Sequence, residues 1–122
     1  MNKNDCLSTT GDSNNCNQEL VSAGCKLHMQ SDGNLVVYKN DTNEAIWNSN
    51  TANQGQGPYR YIMQADGNLV VYGSSGPIWS SNTNNQGQGP FKLSMQDDCN
   101  LVVYDSNNTA TWNSNTTGGV KR

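Results

Sequence analysis

One nine-residue motif occurs three times in this chain and constrains its fold more than any other feature. It reads QSDGNLVVY at Gln30–Tyr38, QADGNLVVY at Gln64–Tyr72 and QDDCNLVVY at Gln96–Tyr104. Each copy follows an alternating run (CKLHMQ, YRYIMQ or FKLSMQ) and precedes a tryptophan segment (AIWNSNT, PIWSSNT or ATWNSNT). A period of 34 and then 32 residues indicates stacked or symmetric repeats. We therefore predict one domain, 1–122, with repeats at about 25–51, 59–83 and 91–116.

The local pattern within each repeat is typical of β-strands. Runs rich in Val, Leu, Tyr, Ile and Trp alternate with Asp-Gly, Asn-x-Thr and Gly-Pro turns, and no segment has a helical period. We predict an all-β protein whose three small antiparallel sheets pack around a pseudo-threefold axis. The axis is expected to have a Trp-filled core, with one ring per repeat from Trp47, Trp79 and Trp112. A β-trefoil is the rival threefold fold, although its repeats are usually longer.

Alternation along the first hairpin separates inward from outward positions. The inward set comprises Leu27, Met29, Leu35 and Val37, and the outward set comprises Gln30, Asn34, Val36 and Tyr38. A three-residue loop, Ser31–Gly33, would place Gln30 opposite Asn34 with Asp32 at the rim. A glycine suits the left-handed conformation at the last loop position, so Cys99, its counterpart in the third copy, fits that turn less well.

The preserved polar residues therefore form an outward-facing group with a definite chemistry. The motif offers a carboxylate, two amides and a phenol hydroxyl around a valine, with no cation and no nucleophile beside a base. Such a group suits a sugar, because each sugar hydroxyl both donates and accepts hydrogen bonds while the C–H face rests on the valine. In the competing interpretation, Asp32 and Asn34 only satisfy backbone groups of the turn.

The motifs resemble the Gln-x-Asp-x-Asn-x-Val-x-Tyr signature of the bulb-type (monocot, snowdrop-like) mannose-binding lectins. All three copies match it at every specified position, and the resemblance covers about residues 20–118. It implies a β-prism II fold with an α-D-mannose site in each repeat that requires neither metal nor cofactor. The mannose-binding residues that it implies are Gln30, Asp32, Asn34, Val36 and Tyr38; Gln64, Asp66, Asn68, Val70 and Tyr72; and Gln96, Asp98, Asn100, Val102 and Tyr104.

The resemblance also implies roles and partners. Asp and Asn would hold the axial 2-hydroxyl, Gln the 3-hydroxyl and Tyr the 4-hydroxyl, while Val would contact ring carbons. The expected partners are mannose-containing glycans and glycoproteins, bound by several sites together. A homodimer that exchanges C-terminal strands is a further expectation. The rival function is a prism used as a structural or protein-binding module, as in taste-modifying or bacteriocin-like relatives.

The four cysteines break the symmetry of the repeats. Cys25 stands where the other copies have Tyr59 and Phe91, and Cys99 replaces a loop glycine. If each loop contacts the next repeat, two junctions pair a glycine with an aromatic ring and the third pairs Cys25 with Cys99. Some family members have a bridge at the equivalent positions, so we predict Cys25–Cys99. Cys6–Cys16 would then staple the N-terminal segment, 1–24, which is expected to complete the third sheet. Four free thiols in a reducing cell are the alternative.

Several classes of function are disfavoured by the sequence. A net charge of -3 with scattered Lys and Arg argues against a nucleic-acid partner, and no apolar run is long enough for membrane insertion. The single histidine, His28, is expected to face solvent; no enzyme motif and no CxxC metal spacing occur. Disulfides favour a secreted or extracellular protein, yet no signal peptide is visible near Met1, so localisation stays open.

Overall fold

The computed structural model describes residues 19–121 together with the backbone of 5–7. The described residues form eleven strands and one short 3-10 turn, Thr117–Gly119. The strands are β1 (Asp5–Leu7), β2 (Leu20–Val21), β3 (Cys25–Met29), β4 (Leu35–Lys39), β5 (Ala45–Asn48), β6 (Arg60–Met63), β7 (Leu69–Gly73), β8 (Gly76–Ser80), β9 (Lys92–Met95), β10 (Leu101–Tyr104) and β11 (Ala110–Asn113).

The strands form three antiparallel sheets, one for each repeat, which confirms the predicted all-β architecture. The sheet orders are β2-β3-β4-β5, β6-β7-β8 and β1-β9-β10-β11. In every repeat the nine-residue motif supplies a loop and an inner strand of its sheet (β4, β7 or β10). The N-terminal strand β1 pairs with β9, where Asp5 stands opposite Ser94, so that strand joins the third sheet. The predicted Cys6–Cys16 bridge involves side chains outside the described residues.

The core forms where the inward faces of the three sheets meet. Leu27, Leu35 and Val37 are fully buried, as are their counterparts in the other repeats. The three tryptophan rings meet edge to face, with centroids 5.5 to 5.8 Å apart, a favourable geometry for aromatic pairs. The rings are only partly buried and pack against the aliphatic cluster. The tryptophans thus form the predicted triangle, while leucine, valine, isoleucine and methionine supply most of the fully buried core.

The loop of each repeat contacts the next repeat, as predicted. A Cβ atom on Gly33 would lie 2.7 Å from the Tyr59 ring, and one on Gly67 would lie 2.7 Å from the Phe91 ring. At the third junction Cys25 and Cys99 form a disulfide with a Cα–Cα distance of 5.3 Å. Cys99 adopts φ 75°, close to the 95° and 92° of the two glycines. The backbone of the loop is therefore the same in all three repeats, and the bridge replaces the packed ring.

Tyr61 introduces a phenol hydroxyl into the core, where the other repeats have leucine. Its side chain is fully buried; burial raises the pKa of the hydroxyl above its ordinary value, and the negative charge of Glu19 raises it further. The folded chain keeps this proton at pH values where the unfolded chain has lost it. We therefore expect the free energy of unfolding to fall as pH rises above about 10.

The measurement is urea unfolding of the wild type and Tyr61→Phe between about pH 9 and pH 11. The variant has no ionisable group at this position, so its stability should fall less steeply than that of the wild type. Equal pH dependence in the two proteins would contradict a buried, neutral Tyr61.

Candidate functional site

The loop geometry brings the five motif residues of each repeat together. In the first repeat the Gln30 N–H donates to the Asn34 carbonyl at 2.9 Å, and the Gly33 N–H donates to the Gln30 carbonyl at 3.1 Å. The same two bonds close the other two loops at 3.0 to 3.1 Å. Gln30 therefore stands opposite Asn34 with Asp32 between them, as predicted, and the strand then presents the valine and the tyrosine on the same face.

The aspartate of each motif uses one carboxylate oxygen to fix its own loop. Asp32 Oδ1 accepts the Asn34 N–H at 3.0 Å, and the equivalent distances in the other repeats are 3.0 and 2.9 Å. This is the local turn contact that the competing interpretation expects. It occupies only one oxygen, however, and Oδ2 has no hydrogen-bond partner among the residues that the structure describes.

The asparagine of each motif is fixed from the tryptophan segment of the same repeat. Asn34 Oδ1 accepts the Thr51 N–H at 3.1 Å, and the equivalent bonds in the other two repeats are 3.2 Å long. Because the carbonyl oxygen is held, the orientation of the amide is settled by the hydrogen-bond network. The Nδ2 group is left as a donor without a partner within the described part of the chain.

A serine and a threonine in each tryptophan segment support this arrangement, and their role was not predicted from the sequence. The Thr51 hydroxyl donates to the Gly33 carbonyl at 2.5 Å and lies 2.7 Å from the Ser49 hydroxyl. Since the Thr51 proton is used on Gly33, Ser49 donates in the contact between the two hydroxyls. The supporting pairs are Ser49 and Thr51, Ser81 and Thr83, and Ser114 and Thr116. The available signal was the Ser-Asn-Thr sequence preserved in all three copies.

The glutamine and tyrosine of each motif are joined directly. The Gln30 Nε2 group donates to the Tyr38 hydroxyl oxygen, and the same bond joins Gln64 to Tyr72 and Gln96 to Tyr104. Within the described residues this leaves the glutamine Oε1 as an acceptor and the tyrosine hydroxyl proton as a donor. All five motif residues therefore contribute to one surface. Each of the four polar side chains uses one atom for hydrogen bonding within the described residues and keeps a further donor or acceptor available for a ligand.

The valine lies deeper than the alternation of the strand predicted. Val36, Val70 and Val102 are 2%, 3% and 2% exposed, although they share the outward face with the polar residues. On that face the valines lie between cross-strand partners that differ from repeat to repeat: His28 and Asn48 for Val36, Ile62 and Ser80 for Val70, and Ser94 and Asn113 for Val102. The valine thus forms the floor of a shallow depression and is not an open apolar pad.

The prediction that no cation accompanies the motif was wrong. Lys26, Arg60 and Lys92 are the direct cross-strand partners of the three site tyrosines. The Arg60 Cζ atom lies 4.9 Å from the Tyr72 ring centroid, and the Lys92 Nζ atom lies 5.6 Å from the Tyr104 centroid. The signal was present in the alternating runs, CKLHMQ, YRYIMQ and FKLSMQ, whose second letter is always basic. It was missed because these residues precede the nine-residue motif and lie on another strand.

The surroundings of the three sites differ. Beside Tyr38 a cleft of about 270 Å³ is also bordered by Glu19, Lys26 and His28, and Glu19 Oε2 lies 3.0 Å from His28 Nδ1. The His28 side chain is 47% exposed, as predicted. Beside Asp98 a cleft of about 440 Å³ lies at the junction of the third and first repeats.

Asp97, the additional carboxylate of the third motif, is directed away from the site. Its Oδ1 accepts the Ala23 N–H at 2.9 Å. Ala23 belongs to the turn between β2 and β3, so this bond ties the third repeat to the first. Asp97 therefore contributes to ring closure beside the disulfide.

Comparison with solved structures places this geometry in a family. The chain aligns with a monomeric monocot mannose-binding lectin from Gastrodia elata at 38% identity, covering 94% of this chain and 99% of that one, with a TM-score of 0.81. For the mannose-specific agglutinin of snowdrop, Galanthus nivalis, solved with methyl-α-D-mannoside, the identity is 37%, the coverage 85% and 91%, and the TM-score 0.72. The chain belongs to the monocot mannose-binding lectin family.

A garlic (Allium sativum) lectin gives the same assignment, at 36% identity, 85% and 95% coverage and a TM-score of 0.71. No protein-family model matches the sequence, and no curated protein sequence matches it either. The three-sheet architecture of this lectin is the β-prism II fold of the snowdrop agglutinin. Family membership makes the chain a non-enzymatic, carbohydrate-binding protein.

Two further observations concern metal binding and membrane-spanning helices. Among residues 19–121, no group of three or more His, Cys, Asp or Glu side chains is placed to hold a metal ion. No helix in the described residues has the length and apolar character needed to cross a membrane.

Proposed function

We propose that the lectin binds α-D-mannose and high-mannose glycans through three sites, one on each sheet. The observation that carries this proposal is that only one of the two polar atoms in each carboxylate and amide side chain of the motif is used within the described part of the protein. In all three repeats one atom of the aspartate, asparagine and glutamine fixes the side chain, and the other polar atom has no partner within the described residues. A purely structural role would need only the first atom of each pair.

The atoms left over match the hydroxyls of mannose. Asp32 Oδ2 and Asn34 Nδ2 are an acceptor and a donor for the axial 2-hydroxyl, which distinguishes mannose from glucose. Gln30 Oε1 accepts a hydrogen bond from the 3-hydroxyl, and the Tyr38 hydroxyl donates one to the oxygen of the 4-hydroxyl. Val36 contacts ring carbons at the floor of the depression. The bond to the carboxylate is charge-assisted and contributes most to orientation, and no step requires a metal or cofactor.

The presence of three sites on one chain compensates for the low affinity of each single site. A shallow site of this kind is expected to have a millimolar Kd, about -4 kcal/mol. Useful affinity then arises when several sites bind one branched glycan or one mannan surface together. The pseudo-threefold arrangement directs the sites away from one another, which favours cross-linking of separate glycan branches.

The location and the oligomeric state of the lectin are further parts of the proposal. A secreted or extracellular location fits the Cys25–Cys99 disulfide. A homodimer by strand exchange stays a prediction. The Gly118 N–H donates to the Asp98 carbonyl at 2.7 Å, so the tail would have to leave its own chain before exchanging.

The decisive experiment is a calorimetric titration with methyl-α-D-mannoside and with mannotriose. We expect three equivalents of the monosaccharide per chain and no comparable binding of methyl-α-D-glucoside, whose 2-hydroxyl is equatorial. Equal binding of the two monosaccharides would contradict the role of Asp and Asn. If neither binds and a mannan column fails to retain the protein, the rival function as a structural or protein-binding module is favoured.

A further inference from the structure

The basic residues beside the site tyrosines have no role in the proposed function. Lys26, Arg60 and Lys92 occupy the same position in the three repeats. Two residues further along, the outward position changes from His28 to Ile62 and Ser94. The same strand face has therefore diverged in shape and polarity while the positive charge beside the tyrosine has been kept. The exchange of lysine for arginine preserves charge and not geometry, which indicates that charge is the property in use.

These three cations lack a direct ion-pair partner within residues 19–121, although Glu19 borders the same cleft as Lys26. Each is half-buried, and none has an ion-pair partner among the residues that the structure describes, where His28 with Glu19 is the pair observed. This is unexpected in a chain whose net charge is -3, because carboxylates are in excess. In the second and third repeats the tyrosine ring attracts the cation, but the ring carries no net charge. A half-buried cation without a counter-ion is stabilised when an anion binds beside it.

The cation lies near the tyrosine end of the site, where the proposed sugar would bind. The tyrosine hydroxyl lies at the end of each site that the glutamine reaches, and the cation is across the strands from that tyrosine. In the first repeat, Lys26 and Tyr38 also line the cleft of about 270 Å³. In the first repeat this end of the site therefore combines positive charge with space for a group larger than a hydroxyl. In the second and third repeats the observation is the positive charge beside the tyrosine.

We infer that the tyrosine end of each site is an anion subsite, and that the lectin prefers mannosides bearing a phosphate to neutral ones. The inference rests on the proposed function, in which the tyrosine holds the 4-hydroxyl. The 6-hydroxyl is attached through the adjacent ring carbon, so a phosphate on O6 comes within reach of the flexible basic side chain. Glu19 opposes an anion in the first repeat, where it lies 3.0 Å from His28. The preference is therefore strongest in the second and third sites.

The test compares methyl-α-D-mannoside with its 6-phosphate by calorimetric titration of the whole protein at low and high salt. A solvent-accessible ion pair predicts about two- to fivefold tighter binding of the phosphorylated sugar, and this advantage should shrink as salt screens the charges. Equal affinities at low salt would overturn the inference. Equal binding of methyl-α-D-glucoside 6-phosphate would also overturn it, because the phosphate would then be held without recognition of mannose.

Variants of the three basic residues distinguish two roles: attraction of the phosphate by their charge, and positioning of the site tyrosines. The triple variant Lys26→Gln, Arg60→Gln and Lys92→Gln should lose the preference while its affinity for the neutral mannoside stays within about twofold of the wild type. The charge-preserving exchange Lys26→Arg, Arg60→Lys and Lys92→Arg should keep it. So should a control, Lys121→Gln, which removes an exposed positive charge outside the motifs.

Three outcomes, one with the glutamine variant and two with the wild type, have distinct meanings. An equal loss of both ligands in the glutamine variant would show that the cations only position the tyrosines, which overturns the inference. Normal binding of the neutral mannoside with no preference in the wild type overturns the inference and leaves the proposed function standing. If the wild type binds neither mannoside, the proposed function is wrong and the inference falls with it.

Discussion

Exchange of the three site aspartates for asparagine is expected to abolish retention on mannan while the protein stays folded. In each site the new Oδ1 can still accept the loop N–H that Asp32, Asp66 and Asp98 now accept at 2.9 to 3.0 Å, so the turn is preserved. The atom facing the sugar becomes a neutral donor. Loss of one charge-assisted bond costs about 2 kcal/mol, roughly a thirtyfold weakening per site, and loss in all three sites removes the multivalent gain.

The measurements are mannan retention, titration with methyl-α-D-mannoside and thermal unfolding of the same preparations. The single variant Asp66→Asn should reduce the number of binding equivalents from three to two without changing the others. Glu44→Gln removes the same charge from an exposed position outside the motifs and should behave as the wild type. Undiminished mannose binding by a folded triple variant would refute the role of the carboxylates.

Removal of the Cys25–Cys99 bridge is expected to give the largest loss of stability. The bridge spans 74 residues of sequence and joins the first repeat to the third. Closure of a loop of that length contributes about 4 kcal/mol in the chain-entropy model. The double variant Cys25→Ser and Cys99→Ser should therefore unfold at a markedly lower urea concentration than the wild type, as measured by circular dichroism.

The other two junctions provide a matched control for this experiment. Cys25→Phe with Cys99→Gly would copy the junction in which Gly67 receives the Phe91 ring. It lacks the covalent link but restores a buried aromatic contact, worth about 2 kcal/mol, and a glycine where φ is 75°. We expect its stability to lie between those of the wild type and the double-serine variant. A double-serine variant as stable as the wild type would show that packing alone closes the ring.

The threefold repeat by itself determined much of the fold. Alternation along each hairpin fixed which residues face the core, because successive side chains of a strand point to opposite faces. The substitution pattern at Gly33, Gly67 and Cys99 identified the contacts between successive repeats, since a glycine opposite a ring and a pair of cysteines solve the same packing problem. The five motif residues lie within nine positions of one hairpin, so local geometry alone brings them together.

Only the tertiary structure decided which residues from other strands complete the site. Thr51 and Lys26 reach the motif through pairing of β4 with β5 and β3, and the pattern of the motif itself contains no information about these neighbours. The depth of Val36 follows from how far the surrounding side chains extend over it, which alternation cannot measure. Sequence periodicity reports the direction in which a side chain points, whereas contacts across strands depend on register, and register is settled only when the sheets pack around their shared core.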